Sequence, residues 1–167
     1  MLIGILSDSH GQYLMVRRAL ARFAELGVEH LIHCGDVGGT EVFDELVDQP
    51  VTFVWGNMDF PEAGLLTYLQ TVGLNVPNGE PARLRLDDKT FAVFHGHERG
   101  FHRAVESLDV DYILHGHTHT VRDDRRGRTR IINPGALYRA SRKTVATLDA
   151  VADKLTFHTI AGIAGCA

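Results

Sequence analysis

Polar and apolar positions along the first sixty residues switch between short apolar runs and longer helical repeats. Leu2-Ile3-Gly4-Ile5-Leu6 is nearly continuous, the mark of a strand buried on both faces. From Tyr13 to Leu26, the residues Leu14, Ala19, Leu20, Phe23, Ala24 and Leu26 recur at helical spacing, and Gly27 follows as a C-cap. His30-Leu31-Ile32-His33-Cys34 reads as a second strand and Val51-Thr52-Phe53-Val54-Trp55 as a third. Between them Glu41 to Val47 makes a shorter helix, with Thr40 able to cap it. The order β-α-β-α-β predicts parallel strands with right-handed crossovers.

The pattern then changes. Around Leu65, Leu66, Tyr68 and Leu69 the chain reads as a short helix or a lid, and Gly73 to Pro81 as loop. Ala82-Arg83-Leu84-Arg85-Leu86 alternates, as a strand with one wet face does, and Asp87-Asp88-Lys89 turns it into Thr90 to Phe94, an antiparallel hairpin. Phe101 to Leu108 reads as a helix and Tyr112-Ile113-Leu114 as a short strand. The charge run Asp123 to Arg128 reads as the solvated tip between two strands, the second starting at Arg130. Thr144 to Leu148 and Lys154 to Ile160 form a last hairpin, and Ala161 to Ala167 read as a frayed end. With no repeat, linker or low-complexity stretch, residues 1–167 are expected to form a single domain.

Composition narrows the class. Hydrophobic content of 44% and charged content of 23% are ordinary globular values, and 167 residues suffice for a core without staples. A formal charge of −4 gives no support for a surface that coats nucleic acid. Cys34 and Cys166 do not make a disulfide framework. No signal peptide or membrane-length apolar run stands out, so a cytoplasmic protein is expected.

The chemistry gathers at the strand ends. The first three strands run into Asp8 with His10, then Asp36, then Asn57. Each alone is equally a turn or cap residue, yet open α/β sheets bind ligands outside the carboxyl ends of their strands, and one pocket explains all three. Two later apolar runs end in His95-Gly96-His97 and in His115-Gly116-His117-Thr118-His119. Continued as a strand, the latter places His115, His117 and His119 on one face, suited to chelation or simply a polar strand end. Asp8, His10, Asp36, Asn57, His95, His117 and His119 exceed what one tetrahedral ion needs and suit two ions sharing a carboxylate. Nitrogen and oxygen ligation suits Mn²⁺ first, with Fe, Ni²⁺ or Zn²⁺ as alternatives. Two such ions about 3.5–4 Å apart would activate water as hydroxide and clamp a phosphoryl group for in-line displacement.

Taken together, Asp8-x-His10, Gly35-Asp36, Gly56-Asn57-x-Asp59, His95-Gly96-His97 and Gly116-His117-x-His119 resemble the calcineurin-like metallophosphoesterase superfamily. The chain length and Asn133-Pro134-Gly135 are most similar to its small YfcE-type phosphodiesterase branch. The resemblance implies a four-layer αββα sandwich, two mixed β-sheets flanked by helices. It implies one cation held by Asp8, His10, Asp36 and His119 and another by Asp36, Asn57, His95 and His117, with Asp36 bridging. Asp36 and Asn57 thereby take part in catalysis. It also implies a small or nucleotide-like phosphodiester as substrate and admits a homodimer. Alternatives are a phosphomonoesterase, or a protein-binding scaffold of the same fold like a retromer subunit whose metal site is degraded. His10 is retained here, which favours the enzyme.

Other residues follow from the same comparison. His115 is expected beside the site or packed on the sheet, Asp59 to hold a ligand histidine, and His30, His33, His102 and His158 to be structural or exposed. Met58 stands where many relatives have a histidine, so leaving-group protonation falls to His97 or to solvent, with His97 equally able to face away. Ala136 replaces a usual serine. Arg99, Arg122, Arg139 and the 60–80 segment are the candidates for setting substrate choice.

Overall fold

The computed structural model describes residues 1–79, 81–107 and 109–161; the reading of the last residues as frayed lies outside these from 162 onward. Its elements in order are β1 (Leu2–Leu6), α1 (Tyr13–Leu26), β2 (His30–His33), α2 (Thr40–Leu46), β3 (Val51–Phe53), α3 (Ala63–Thr71), β4 (Ala82–Leu86), β5 (Lys89–Val93), α4 (Arg99–Ser107), β6 (Tyr112–Leu114), β7 (Arg122–Arg126), β8 (Thr129–Asn133), β9 (Thr144–Asp149) and β10 (Lys154–Thr159). Two five-stranded sheets form, ordered β10-β9-β1-β2-β3 and β4-β5-β6-β8-β7. The β1–β2–β3 strands pair in parallel and β1–β9 antiparallel, so the first sheet is mixed. In the second, β5–β6–β8 are parallel and β4–β5 antiparallel.

Side-chain alternation builds the layers. Ile3, Ile5 and Ile32 of the first sheet meet Phe91, Val93, Tyr112, Leu114 and Ile132 of the second in an apolar layer between them. The opposite face of the first sheet carries Leu6, Leu31 and Phe53 against Met15, Val16, Ala19 and Phe23 of α1 and Val42, Phe43 and Leu46 of α2. The opposite face of the second carries Ala92, Ile113 and Ile131 against Phe101 and Ala104 of α4. Three apolar layers therefore separate four structural ones, the expected αββα sandwich. Gly4 permits the closest approach in the helical layer: a Cβ there would lie 3.0 Å from the rings and methyls of Phe23 and Leu31. Among the described residues, no helix is long and apolar enough to cross a membrane.

Most boundaries agree with the pattern, and the differences have local causes. Helix α1 starts and stops where expected, closed by Gly27 at φ 75. β3 ends at Phe53 because Val54 and Trp55 leave the ladder for the loop bearing Asn57. Thr40 does not cap α2; Gly39 takes that position without a side-chain bond, and the Thr40 hydroxyl turns to Glu41. The charge run is not a tip: residues 122–126 are β7 itself, pairing along β8 with Gly127 at the turn. β7 is an edge strand, and a row of charges there disfavours pairing with another chain.

One polar clamp joins the sheets. Arg130 on β8 is only 12% exposed and donates to the Asp153 carboxylate and carbonyl, at 2.8 and 2.7 Å, in the β9–β10 turn of the other sheet. It also forks onto Asp123, at 2.7 and 2.9 Å, while Tyr112 and Arg125 reach the same Asp153. Burial pushes the Asp153 carboxyl up, but these donors outweigh it and hold it below the ordinary value of 3.8; Arg130 does the same for Asp123. Both carboxyls are depressed in the folded state, so their contribution is present above pH 3.8 and fades as pH falls through the folded values. Arg130→Met is expected to cost on the order of 1 kcal/mol at neutral pH. Denaturant unfolding of the two proteins across pH should show that gap closing in acid.

Candidate metal centre

All the candidate ligands lie on loops leaving strand C-terminal ends, and both sheets contribute. β1 leads to Asp8 and His10, β2 to Asp36 and β3 to Asn57; β5 of the second sheet leads to His95 and β6 to His117 and His119. The loops are stitched together by backbone bonds, Asp8 N–H to Gly35 O at 3.0 Å, His10 N–H to Asp36 O at 2.9 Å and Gly116 N–H to His95 O at 2.8 Å. Asp8, His10, Asp36, His117 and His119 all sit at positive φ, between 43 and 68. Non-glycine residues adopt this region at a cost of roughly 1 kcal/mol or more each, and such residues cluster at functional sites.

That backbone corrects the strand reading of residues 115–119. β6 stops at Leu114, and His117 and His119 converge because their loop turns left-handed, not because of a pleat. His115 goes elsewhere. It is buried against the Phe101 ring at 4.7 Å with Arg122 near its Nε2, and burial lowers its pKa to about 4.

Each central carboxylate has one oxygen held by a backbone N–H and the other turned to imidazole nitrogens. Asp8 is fully buried; its Oδ2 accepts from the Ser7 hydroxyl at 2.6 Å and from His117 N–H at 3.1 Å. Its Oδ1 has no hydrogen-bond partner and faces His119 Nε2 at 3.2 Å, with His10 and His95 Nε2 each at 4.0 Å. Asp36 Oδ1 accepts from Met58 N–H at 2.8 Å, leaving Oδ2 facing His95 Nε2 at 3.3 Å and His10 Nε2 at 3.4 Å. Burial raises the pKa of Asp8, an effect that Ser7, His95 and His119 only partly offset. Burial also pushes Asp36 up, but the His95 and Met58 hydrogen bonds and nearby imidazoles bring it below the ordinary value.

The imidazole protons define what is missing between these atoms. His95 Nδ1 lies 2.8 Å from the Cys34 carbonyl, which can only accept, so Nδ1 carries a proton. Neutral His95 then aims the Nε2 lone pair at Asn57 Oδ1, 3.0 Å away, and at Asp36 Oδ2. His117 Nδ1 approaches the same Asn57 oxygen at 3.0 Å. Lone pairs facing one another are relieved by a proton or by a cation. Burial disfavours protonation of His95, yet Asp36 outweighs it and raises the pKa. His10 Nε2 is likewise buried without a partner. The donor set fits divalent cations, and the atoms group as Asp8, His10, His119 and as Asp8, Asp36, His95.

Two glycines admit the carboxylates by absence of a side chain. A Cβ at Gly56 would lie 2.0 Å from Asp36 Oδ1, and one at Gly116 would lie 1.9 Å from Ser7 Oγ and 2.6 Å from Asp8 Oδ2. Asp59 departs from expectation: it holds no histidine but accepts from Gly56, Val37 and Gly38 N–H at 2.8, 3.2 and 3.0 Å, tying the loops of Asp36 and Asn57 together. Several braces were not visible in the sequence. Glu98 accepts from His95 and Gly96 N–H, and Asn133 donates to Gly116 O at 2.8 Å and Thr118 Oγ1 at 3.1 Å. The Asn-Pro-Gly turn was the available signal for the second.

His97 stands beside the candidate ligands, its ring 5.4 Å from that of His95 and 6.1 Å from that of His117. It borders a small recess with Trp55 and Glu98, its Nδ1 3.7 Å from the Glu98 carboxylate. His33 is buried beneath the site, hydrogen-bonded to Ser9 Oγ at 2.8 Å, with its pKa lowered to about 3 by burial. His30 and His158 make cross-strand bonds to Thr52 and Thr147, and His102 lies beside Phe101. Arg122 pairs with Asp124, Arg99 is exposed at the start of α4, and α3 packs Leu69 into the helical layer. Of the expected substrate-facing arginines, Arg139 borders the cleft over the centre, together with Met58 and Tyr138.

A family model described as calcineurin-like phosphoesterase superfamily domain matches residues 1–153. The chain is 29% identical over 154 residues to Phosphodiesterase MJ0936 of Methanocaldococcus jannaschii, covering 89% of this chain and 93% of that protein. It is 34% identical over 166 residues to Probable metallophosphoesterase MJ0623 of the same organism, covering 93% and 78% respectively. A solved archaeal phosphodiesterase superposes with a TM-score of 0.84 at 26% identity, over 95% of this chain and 99% of that one. The chain belongs to the calcineurin-like phosphoesterase superfamily. It is, with that family, a metal-dependent phosphoesterase.

Gly56→Ala is expected to displace Asp36 and weaken Mn²⁺ binding by about tenfold or more, as loss of a ligand's support does. Calorimetric titration of Mn²⁺ into the metal-stripped variant and parent checks it, with circular dichroism confirming the fold.

Proposed function

We propose that this protein is a dinuclear phosphodiesterase acting on a small or nucleotide-like diester. The reading rests on one observation above the others: the buried Asp8 Oδ1 has no hydrogen-bond partner, and it and Asp36 Oδ2 both face a ring of imidazole nitrogens. Asp8, His10, Asp36 and His119 would hold one cation and Asp36, Asn57, His95 and His117 the other, with Mn²⁺ preferred. Asp36 Oδ2 lies 3.4 Å from His10 Nε2 and 3.3 Å from His95 Nε2, which supports its being shared. Two divalent cations supply activated water and charge neutralisation at phosphorus.

The chain's own groups set orientation and proton supply. Cys34 O fixes the His95 tautomer so that Nε2 faces inward, and Met58 and His117 N–H hold the carboxylates in register. The Met58 side chain borders the cleft where it has no proton to give, and His97, beside His95 and His117, turns its Nδ1 to the Glu98 carboxylate at 3.7 Å. Leaving groups that depart without protonation are therefore favoured. This supports activated or acidic alcohols over simple alkoxides as leaving groups.

The metal-stripped protein refilled with Mn²⁺ is expected to hydrolyse bis(p-nitrophenyl) phosphate faster than p-nitrophenyl phosphate, and His117→Ala to lose activity by at least about a hundredfold. Equal or greater turnover of the monoester would overturn the diester assignment. Two bound cations with no cleavage of either ester would overturn the enzyme reading in favour of a scaffold. Met58→His is expected to raise turnover of diesters with poorer leaving groups by about tenfold or more, read by comparing p-nitrophenyl with unactivated alkyl esters.

A further inference from the structure

The cleft above the centre encloses about 480 Å³, and beyond the candidate ligands its wall is Met58, Tyr138 and Arg139. Arg139 is the only lysine or arginine among the described residues lining it. Its guanidinium carbon lies 5.1 Å from the Tyr138 ring centre, and that ring lies 5.1 Å from the ring of His10. The cation thus lies over the Tyr138 ring, which in turn leans on the ring of a candidate ligand. A guanidinium offers five N–H donors in a rigid fork that can grip an oxyanion bidentately.

Two features bear on what Arg139 can bind. No carboxylate pairs with it among the described residues, so its charge is available to an anion in the cleft. Its backbone sits at φ 46, a left-handed conformation that arginine adopts only when the surrounding turn imposes it. A protein of net charge −4 also repels an anionic ester, so a fixed cation at the mouth assists its approach.

We propose that Arg139, braced on Tyr138, is a subsite for a second phosphate on the ester, so that the substrates carry a phosphate beyond the one being cleaved. The Arg139 guanidinium carbon and the His10 ring each lie 5.1 Å from the Tyr138 ring centre, so both are within reach of one small molecule. The proposal rests on the phosphodiesterase reading above and narrows it to a substrate class.

The experiment compares thymidine 5′-(p-nitrophenyl phosphate) with the same ester bearing a 3′-phosphate, using the Mn²⁺-loaded protein. The two share scissile bond and leaving group and differ by one phosphate. The parent is expected to prefer the 3′-phosphorylated ester in kcat/KM by about tenfold or more, Arg139→Ala to abolish the preference and Arg139→Lys to retain part of it. The preference should reside in KM and shrink with added salt. No preference in the parent, or a preference unchanged in Arg139→Ala, overturns the subsite. If the parent cleaves neither ester, the phosphodiesterase reading fails. Calorimetry with thymidine 3′,5′-bisphosphate and thymidine 5′-monophosphate then decides the subsite: tighter bisphosphate binding that Arg139→Ala removes supports it, and equal binding overturns it.

Discussion

Two carboxylates buried side by side are expensive, and the rest of this structure is arranged around holding Asp8 and Asp36 that way, Asp8 with one oxygen lacking any hydrogen bond. Both come from the first sheet; the imidazoles facing them include His95 and His119 of the second. The centre therefore lies across the seam between the sheets and exists only when they are docked. Desolvation costs several kcal/mol for an unpaired buried charge, more than the left-handed backbone beside it. Cation binding converts that cost into affinity, so metal uptake and stability are coupled in such a site.

Holding the arrangement takes support at short range from backbone rather than side chains. Met58 and His117 use their N–H groups, Asp59 gathers three N–H donors, and Gly56 and Gly116 let carboxylates press against main chain where any Cβ would collide. The apolar layer between the sheets supplies the rigidity these loops lack. Ile3, Ile5, Val93 and Leu114 are fully buried immediately before the loops that carry ligands.

Much of this was legible in the sequence, for identifiable reasons. Period-two and period-3.6 apolar patterns marked nearly every element, because one face of each must meet a layer, and α1 was readable to both ends through its Gly27 cap. The candidate ligands were legible because oxygen and imidazole side chains recur at strand ends, a regularity of one-dimensional order. The charged β7 was mistaken for a turn because an exposed edge strand has no buried face to impose alternation.

Tertiary structure alone decided orientation. Spacing placed His115 with His117 and His119, yet β6 ends at Leu114, and packing on Phe101 takes His115 away while a left-handed loop brings the others in. The same holds for His97, for Asp59, and for Asn133, whose brace on the 116–118 loop joins segments distant in sequence. The sequence by itself determined which chemistry is available and at which strand ends it sits, since side-chain identity and periodicity are local properties. Which of those atoms meet, and which oxygen of each carboxylate faces the imidazoles, depended on the docking of two sheets. That is set by long-range packing and backbone hydrogen bonds that no local pattern encodes.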